Sequence, residues 1–289
     1  MAEPRIILCA DDYAQAPGIS AGIRALAAAG RLSATSAMSN APDWPAEAAA
    51  LRPVSGRLAV GLHLTLTHGA PLGAMPGLAP DGRLPPLGRV LRLALTGRLR
   101  RGALAAELAA EIARQFKAFE AGFGAPPDHV DGHQHVHVLP GILEAVLREI
   151  ARRYGDRPIL LRDPRDRAGA ILARRSAGKA ALVAGLAAGL GPRLRRAGLV
   201  RNRGFAGFSD FGKTPYALEF ESFLRRPGGR PMVMCHPGEG RDPADPIAER
   251  RPQELAYLQA APDLPSRLWR PPLRPAGAPI DWLAEGVDG

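Results

Sequence analysis

Short apolar runs alternate with helical patterns along most of the chain, and this alternation limits its fold more than any other feature. The apolar runs are predicted strands, at 5–10, 33–39, 58–67, 129–137, 158–162, 200–207 and 231–235. Helical spacing of apolar residues fills the intervals between them, at 17–29, 43–51, 104–123, 140–153, 174–197 and 216–225. Repeated strand–helix units favour an α/β fold with a parallel sheet, either closed or doubly wound.

The length of the chain bounds its domain organisation. Its 289 residues can form one large α/β domain or two small ones. Because no linker or internal repeat divides the sequence, we expect a single domain over 1–289, with a core at about 5–260. The Pro- and Gly-rich stretch at 69–88 is a predicted loop, and the Pro-rich tail at 262–289 is expected to wrap the surface.

The chain is basic, with a formal net charge of +10 and a pI near 10.6. A basic balance can indicate a nucleic acid, a membrane surface or an acidic substrate. Arginine supplies nearly all of the positive charge, however, and alanine, glycine and proline are abundant, a bias typical of a GC-rich genome. Aromatic residues make up only 5% and do not interleave with basic ones. We therefore expect no nucleic-acid partner.

Cysteines and targeting signals bear on the compartment. Two thiols as far apart as Cys9 and Cys235 form neither a disulfide framework nor a Cys-rich zinc site, so we expect both to be buried strand residues in a reducing compartment. The N-terminus lacks the apolar region of a signal peptide. No stretch reaches the roughly 18 apolar residues of a membrane-spanning helix. The expected location is cytoplasmic.

Polar residues fall at the carboxyl ends of four predicted strands. Asp11 and Asp12 follow the first apolar run, His63 lies in the third, His133 in the fourth, and His236 directly follows the last. In α/β barrels the carboxyl ends of the strands form the rim where catalytic groups gather. Each feature is weak alone, because paired acids also cap helices and strand histidines also occur in cores. Four strands that deliver such residues to one rim predict an active site.

The segment around His63 and the histidine-rich segment after it carry the local signals. Alternation over 61–67 puts His63 on a polar face, which is costly in a buried strand unless it lines a site. Further along, His133, His135 and His137 share a face if extended, and the first and last of them do so if helical. Asp131 is placed to orient a histidine by accepting its second N–H.

One carboxylate and two imidazoles predict a metal site with open positions for water. Such a ligand set suits Zn²⁺, Mn²⁺ or Co²⁺ better than Mg²⁺, which prefers oxygen ligands. We therefore expect one divalent metal ion, with zinc preferred. A bound cation would acidify water for attack on a carbonyl group. His236, at the end of the last predicted strand, is a candidate general acid.

Several ordered motifs resemble those of the YdjC-type (ChbG/HpnK) carbohydrate deacetylases over about 6–237. They are ADDYAQAPGIS at 10–20, GLHLTLT at 61–67, HVDGHQHVHVLP at 129–140, LLRDP at 160–164 and MCHPGE at 234–239. The Pro/Gly-rich loop after His68 also resembles that of the family. Tyr13 and Ala14 depart from the usual Phe-Gly, and residues 165–200 show no clear match.

The resemblance implies a fold and a reaction. The fold is an irregular TIM-like (β/α) barrel. The reaction removes the N-acetyl group from an N-acetylated amino sugar, a chitooligosaccharide-like saccharide or related glycoconjugate, and releases acetate. Family members are described with Mg²⁺ or Zn²⁺, and the ligand set favours zinc. Some members are dimers, so a homodimer stays open, although no sequence feature marks an interface.

The resemblance also implies roles for individual residues, carried over motif by motif. Asp12, His63 and His133 correspond to the metal ligands. Asp11 corresponds to the general base that deprotonates the attacking water, and His236 to the acid that protonates the leaving amine. Arg162 would hold the base or the substrate. Asp131, His135 and His137 are candidates for substrate contacts or for contacts to the ligands.

Other readings remain beside this one. The substrate could be a glycosylated lipid such as an N-acetylglucosaminyl hopanoid, with the basic segment 174–196 on an anionic membrane. An ordinary barrel helix with an exposed arginine face is favoured over that membrane contact. A non-catalytic metal- or carbohydrate-binding protein is the alternative from another class, and the presence of all five site residues argues against it.

Overall fold

The computed structural model describes residues 5–155, 157–212, 214–240, 245–275 and 277–282. Within them one sheet has seven strands: β1 (Ile7–Tyr13), β2 (Ala34–Ala37), β3 (Ala59–Leu64), β4 (His129–Gly132), β5 (Leu160–Leu161), β6 (Phe205–Ala206) and β7 (Met232–Cys235). Their order is β5-β4-β3-β2-β1-β7-β6, and every strand pair is parallel. A further parallel bridge joins Leu160 to Val200, in the segment leading into β6, so the sheet curls towards closure.

Helices surround the curled sheet. They are α1 (Pro17–Ala28), α2 (Trp44–Leu51), α3 (Leu87–Leu95), α4 (Gly102–Phe123), α5 (Ile142–Tyr154), α6 (Ala168–Leu172), α7 (Ala177–Leu186), α8 (Leu190–Arg196), α9 (Tyr216–Phe223), α10 (Arg251–Ala260) and α11 (Leu264–Arg267). Parallel strands linked by helical crossovers in a curled sheet make an α/β, TIM-like fold. The fold class predicted from the sequence is confirmed.

Alternation along β1 separates an inner and an outer core. Ile7 and Cys9 belong to the cluster inside the curled sheet, whereas Leu8 and Ala10 pack with the residues of the surrounding helices. Successive side chains of a strand point to opposite faces, so this pattern follows from the pleat. Asp11, two residues after Cys9, therefore also points to the interior, at the carboxyl end of the strand.

The C-terminal tail does not simply wrap the surface, and that expectation is wrong for its described part. Leu268 pairs in parallel with Ile6. The rings of Trp269 and Trp282 lie 5.2 Å apart, both buried in the inner cluster, which also contains Ala34. Small residues in the strands leave room there, and the indole rings fill it. Residues 283–289 of the predicted tail lie outside the described residues.

Other predicted elements differ in extent. Helix α3 was not predicted, although it buries Val90, Leu93 and Ala94 on one side. The helical region predicted over 174–197 is divided into α7, which ends at Leu186, and α8, which begins after Gly189, a residue with a left-handed φ of 76°. Cys9 and Cys235 are free thiols buried in β1 and β7, as expected. Among the described helices, none combines the length and the apolar character that a membrane crossing requires.

Candidate active site

The irregular end of β1 positions the two neighbouring acids. The pairing of β1 with β2 shifts register between Ala10 and Tyr13, and Asp12 has a φ of 68°. A bulge of this kind redirects a side chain that a regular strand would send to the opposite face. Ala14, two residues after Asp12, has a φ of 73°, a left-handed conformation that favours glycine. This irregularity brings Asp11 and Asp12 to the same rim.

Asp12 meets two histidines from other strands. Its Oδ1 lies 3.3 Å from Nε2 of His63, in β3, and 3.1 Å from Nδ1 of His133, which directly follows β4. Asp12 and His63 are each 2% exposed, whereas His133 is more open to solvent. The structure thus brings together three of the predicted site residues, with one oxygen and two nitrogens facing a common point.

A second carboxylate holds His63 from behind. Nδ1 of His63 lies 2.7 Å from Oδ1 of Asp131, in β4. This leaves Nε2 directed at Asp12, the arrangement in which a carboxylate fixes a ligand histidine. Burial alone would lower the pKa of His63, but the carboxylates of Asp131 and Asp12 outweigh it and raise the pKa to about 10. A site so rich in negative charge favours a cation in place of that proton.

Arg162, just beyond β5, joins the carboxylates inside the sheet. Its Nη1 and Nη2 donate to the two oxygens of Asp11 at 2.7 and 2.6 Å, and Nη2 also lies 2.5 Å from Oδ2 of Asp131. All three side chains are buried. Burial alone would raise the pKa of Asp131, but Arg162 and His63 lower it. Arg162 therefore fixes the orientation of Asp11 and keeps Asp131 charged behind His63.

Polar side chains continue into the interior beneath these residues. Oγ of Ser36 donates to Oδ2 of Asp131 at 2.6 Å and lies 2.9 Å from Nε2 of His129. The ring of His129 covers Gly61, where any added Cβ would lie within 2.3 Å of it. Gly61 is therefore required by close packing in the middle of β3. Ser36 supports the site from a strand in which sequence reasoning found no site residue.

Among the described residues, three overlapping groups place their ligand atoms within 4.8 Å of one another: Cys9 with His129 and Asp131, Asp12 with His63 and His133, and Asp11 with His63 and Asp131. Burial raises the pKa of Cys9 well above its ordinary value, which disfavours the thiolate needed for binding. Arg162 already occupies the carboxylates of Asp11 and Asp131. The donor set of Asp12, His63 and His133 fits a divalent metal ion best.

The remaining histidines of the His-rich segment diverge. His133–Val138 forms a 3-10 segment in which Gln134 and His135 both have positive φ. His135 packs its ring against Phe205 and Phe208. His137 is fully buried, and its Nε2 lies 2.9 Å from the carbonyl oxygen of Arg162. Neither of the two face-sharing patterns, extended or helical, describes this segment.

His236 directly follows β7, which pairs with β1, the strand that carries Asp11 and Asp12. Burial lowers its pKa, although the nearby charges of Asp12 and Asp11 act in the other direction. Its backbone N–H donates to Oε2 of Glu254 at 2.6 Å. Burial raises the pKa of Glu254 to about 7, because its surroundings compensate its charge only in part. His236 thus stands at the rim on a backbone that a buried carboxyl group anchors.

Arg251, the first residue of α10, completes the surroundings of Asp12. Its Nη2 donates to Oδ2 of Asp12 at 2.8 Å, and its Nε pairs with Asp245. Its side chain is 3% exposed. Oδ1 of Asp12 is thereby left to face the histidines. Sequence reasoning missed Arg251, because it lies outside every motif and contacts a residue 239 positions away.

Comparisons with known proteins place these residues in context. The YdjC family model, described as YdjC-like protein, matches residues 5–264. Chitooligosaccharide deacetylase from Serratia marcescens is 40% identical over 145 residues, which are 50% of this chain and 54% of the relative. The enzyme of that name from Enterobacter sp. (strain 638) is 37% identical over 149 residues, 51% of this chain and 56% of the relative. The chain thus spans about half the length of the curated relatives it matches.

A solved structure shares the fold. It is the crystal structure of a proposed cellobiose-phosphate cleavage protein from Enterococcus faecalis V583, which superposes with a TM-score of 0.62 at 20% sequence identity. The superposition covers 92% of this chain and 94% of that one. At this identity the likeness concerns the fold alone, and it extends over nearly the whole chain.

Proposed function

Since this chain belongs to the YdjC-like protein family, we propose that it is a metal-dependent hydrolase that removes the N-acetyl group from an N-acetylated amino sugar. The convergence of Asp12, His63 and His133 at one rim carries the proposal, because metal-type ligands come together there from β1, from β3 and from the residue that follows β4. The similarity to chitooligosaccharide deacetylases supports a chitooligosaccharide-like saccharide as substrate. The products are acetate and the free amine.

We propose that Asp12, His63 and His133 hold one divalent metal ion. The nitrogen donors of the two histidines favour zinc over magnesium. When bound, the metal supplies a Lewis acid that polarises the acetamide carbonyl and lowers the pKa of water. Asp131 keeps Nε2 of His63 turned towards the site, and Arg251 keeps Oδ1 of Asp12 turned towards the histidines.

The charged neighbours divide the proton-transfer roles. Asp11, held by both amino groups of Arg162, is the general base that takes a proton from the attacking water. His236, at the end of β7, is the acid that protonates the leaving amine nitrogen. Because burial lowers the pKa of His236, a proton that its imidazole takes up during the reaction is readily passed on to the amine nitrogen.

Replacing Asp11 by asparagine tests the proposed base. Asn keeps the shape of the side chain but does not accept the proton, so acetate release should fall by about 10²- to 10⁴-fold, a typical loss for a general base. Metal content should stay at the wild-type level, because the proposed ligands are unchanged. Acetate released from a panel of N-acetylated saccharides and metal analysis of the purified protein measure the two quantities.

A ligand variant provides the matched control. His133→Ala should lose both metal and activity, whereas Asp11→Asn should lose activity alone. Wild-type acetate release by Asp11→Asn with metal bound would show that Asp11 is not the base. Absence of acetate release from every saccharide by the metal-loaded wild-type protein would contradict the proposed reaction.

A further inference from the structure

A cleft lies beside the loop that follows β5, and most of the charged residues that line it are arginines. Its volume is about 780 Å³, within the range of small-molecule sites. The arginines that line it are Arg165, Arg167, Arg195, Arg201 and Arg203. Two aspartates, Asp163 and Asp166, also line it, so positive groups prevail. None of the residues that we assign to the metal centre or to proton transfer belongs to this lining.

Two adjacent residues, Arg162 and Asp163, separate the cleft from the active site, because their side chains point in different directions. Arg162 points into the sheet, where it contacts Asp11 and Asp131. The side-chain amide of Asn202 forms hydrogen bonds with both the backbone N–H and the carbonyl oxygen of Asp163. The side chain of Asp163 lines the cleft. Neighbouring residues of an extended segment point to opposite sides. A molecule in the cleft therefore does not occupy the place of the acetyl group.

The two aspartates hold arginines in place and do not oppose an anion with free charge. Asp163 accepts from Nε and Nη2 of Arg165 at 2.8 and 2.6 Å and from Nη1 of Arg201 at 3.3 Å. Asp166 pairs at 2.7 Å with Arg174, outside the cleft. Both carboxylates are thus neutralised by guanidinium groups. These ion pairs fix the guanidinium planes before any ligand arrives.

Donors remain for a ligand. Nε of Arg201 is buried and has no hydrogen-bond partner among the described residues. A buried donor without a partner is unfavourable unless a ligand or water satisfies it. Arg195 is exposed on α8, and the structure gives it no ion pair within the described chain. A guanidinium carries five N–H donors, and the ion pairs of Arg165 and Arg201 with Asp163 engage only some of them.

From this arrangement we propose that the cleft binds a phosphate group carried by an organic molecule. Arginine forks match the oxygens of phosphate with two parallel hydrogen bonds. The cleft is far larger than one phosphate ion, which leaves space for the rest of the ligand. Two sources share this chemistry, a soluble phosphate monoester and the headgroup of an anionic lipid. The ligand acts outside the reaction centre, as an effector or an anchor.

Calorimetric titration of the full chain with inorganic phosphate and with glycerol 3-phosphate tests the soluble source. Co-sedimentation with phosphatidylcholine vesicles, with and without phosphatidic acid, tests the lipid source. Arg195→Glu should weaken binding by about tenfold or more, since it replaces a charge-assisted contact by repulsion. Arg196→Glu is the matched control, because Arg196 neighbours it on α8, is exposed and does not line the cleft.

The outcomes decide the proposal. Binding of phosphate or glycerol 3-phosphate that Arg195→Glu weakens and Arg196→Glu does not would support a soluble ligand. The same variant pattern seen only with phosphatidic acid vesicles would support a lipid headgroup. An equal loss of binding affinity in Arg195→Glu and Arg196→Glu would mean that only net charge matters, and it would overturn the proposal. The absence of binding to every probe would also overturn it. Arg195→Gln, with circular dichroism to verify folding, repeats the test without the added negative charge.

Discussion

Arginine has opposite surroundings in the active site and on the exposed face of α8, at the end of the basic segment 174–196. In the site, Arg162 is fully buried and holds the carboxylates of Asp11 and Asp131. In the basic segment, Arg195 and Arg196 extend into solvent from α8. The same side chain is an internal structural ion in one region and a solvated charge in the other.

The difference teaches where the charge of this basic chain has energetic consequences. A pair of exposed charges contributes little to stability, because water and salt screen it. A buried charge that loses its partner pays the desolvation penalty in full. The net charge of +10 therefore says little about the fold, whereas Arg162, inside the sheet, holds two buried carboxylates.

Replacement of Arg162 by methionine should produce the largest effect. It leaves Asp11 and Asp131 buried without their common partner, and breaking a buried pair in this way costs about 3–5 kcal/mol. Urea unfolding measures the free energy of unfolding. Arg196→Met, the exposed counterpart, should change it by less than about 0.5 kcal/mol. Similar values for the two variants would remove the distinction between the two regions.

Buried and exposed carboxyl groups should also differ, in how they make stability depend on pH. Burial raises the pKa of Glu254 from its ordinary 4.5 to about 7. Between these values the folded protein keeps a proton that the unfolded chain releases, so this group makes stability fall as pH rises through the window. A shift of this size corresponds to about 3 kcal/mol. Glu254→Gln should remove that fall and still accept the N–H of His236.

The free energy of unfolding at several values between pH 4.5 and 8 measures this difference. Glu249→Gln is the control, because Glu249 is an exposed residue of the turn that precedes α10. Its stability profile should run parallel to that of the wild-type protein. A Glu254→Gln profile that also runs parallel to wild type would show that Glu254 has the same pKa in the folded and unfolded states.

The sequence predicts the fold and part of the site, for reasons that lie in local patterns. Strand–helix alternation predicts the sheet, and the strand ends predict which residues meet at the rim. Asp12, His63 and His133 do lie together at this rim, whereas their selection as the ligand set came from the resemblance to the YdjC-type deacetylases. That assignment of ligands remains a proposal, as do the roles of Asp11 and His236.

The parts that could not be predicted depend on backbone irregularity and on distant contacts. The left-handed φ of Asp12 breaks the period of two along β1, and no residue pattern announces it. Arg251 and Glu254 come from a helix without a recognisable motif, yet they contact Asp12 and the backbone of His236. Trp282 fills the interior from a tail whose proline content suggests surface.

Arg251→Lys tests whether Asp12 needs the shape of the guanidinium group or only its positive charge. Lysine keeps the positive charge beside Asp12 but lacks the fork that also binds Asp245. If Arg251 orients the carboxylate, metal affinity should fall by about tenfold, the lower end of the range for residues that orient ligands. Arg195→Lys, in the basic segment, should leave metal affinity unchanged. Competition with a chromophoric chelator measures both affinities.

An unchanged affinity in Arg251→Lys would mean that charge alone is sufficient at this position, so the fork of the guanidinium would have no role in orienting Asp12.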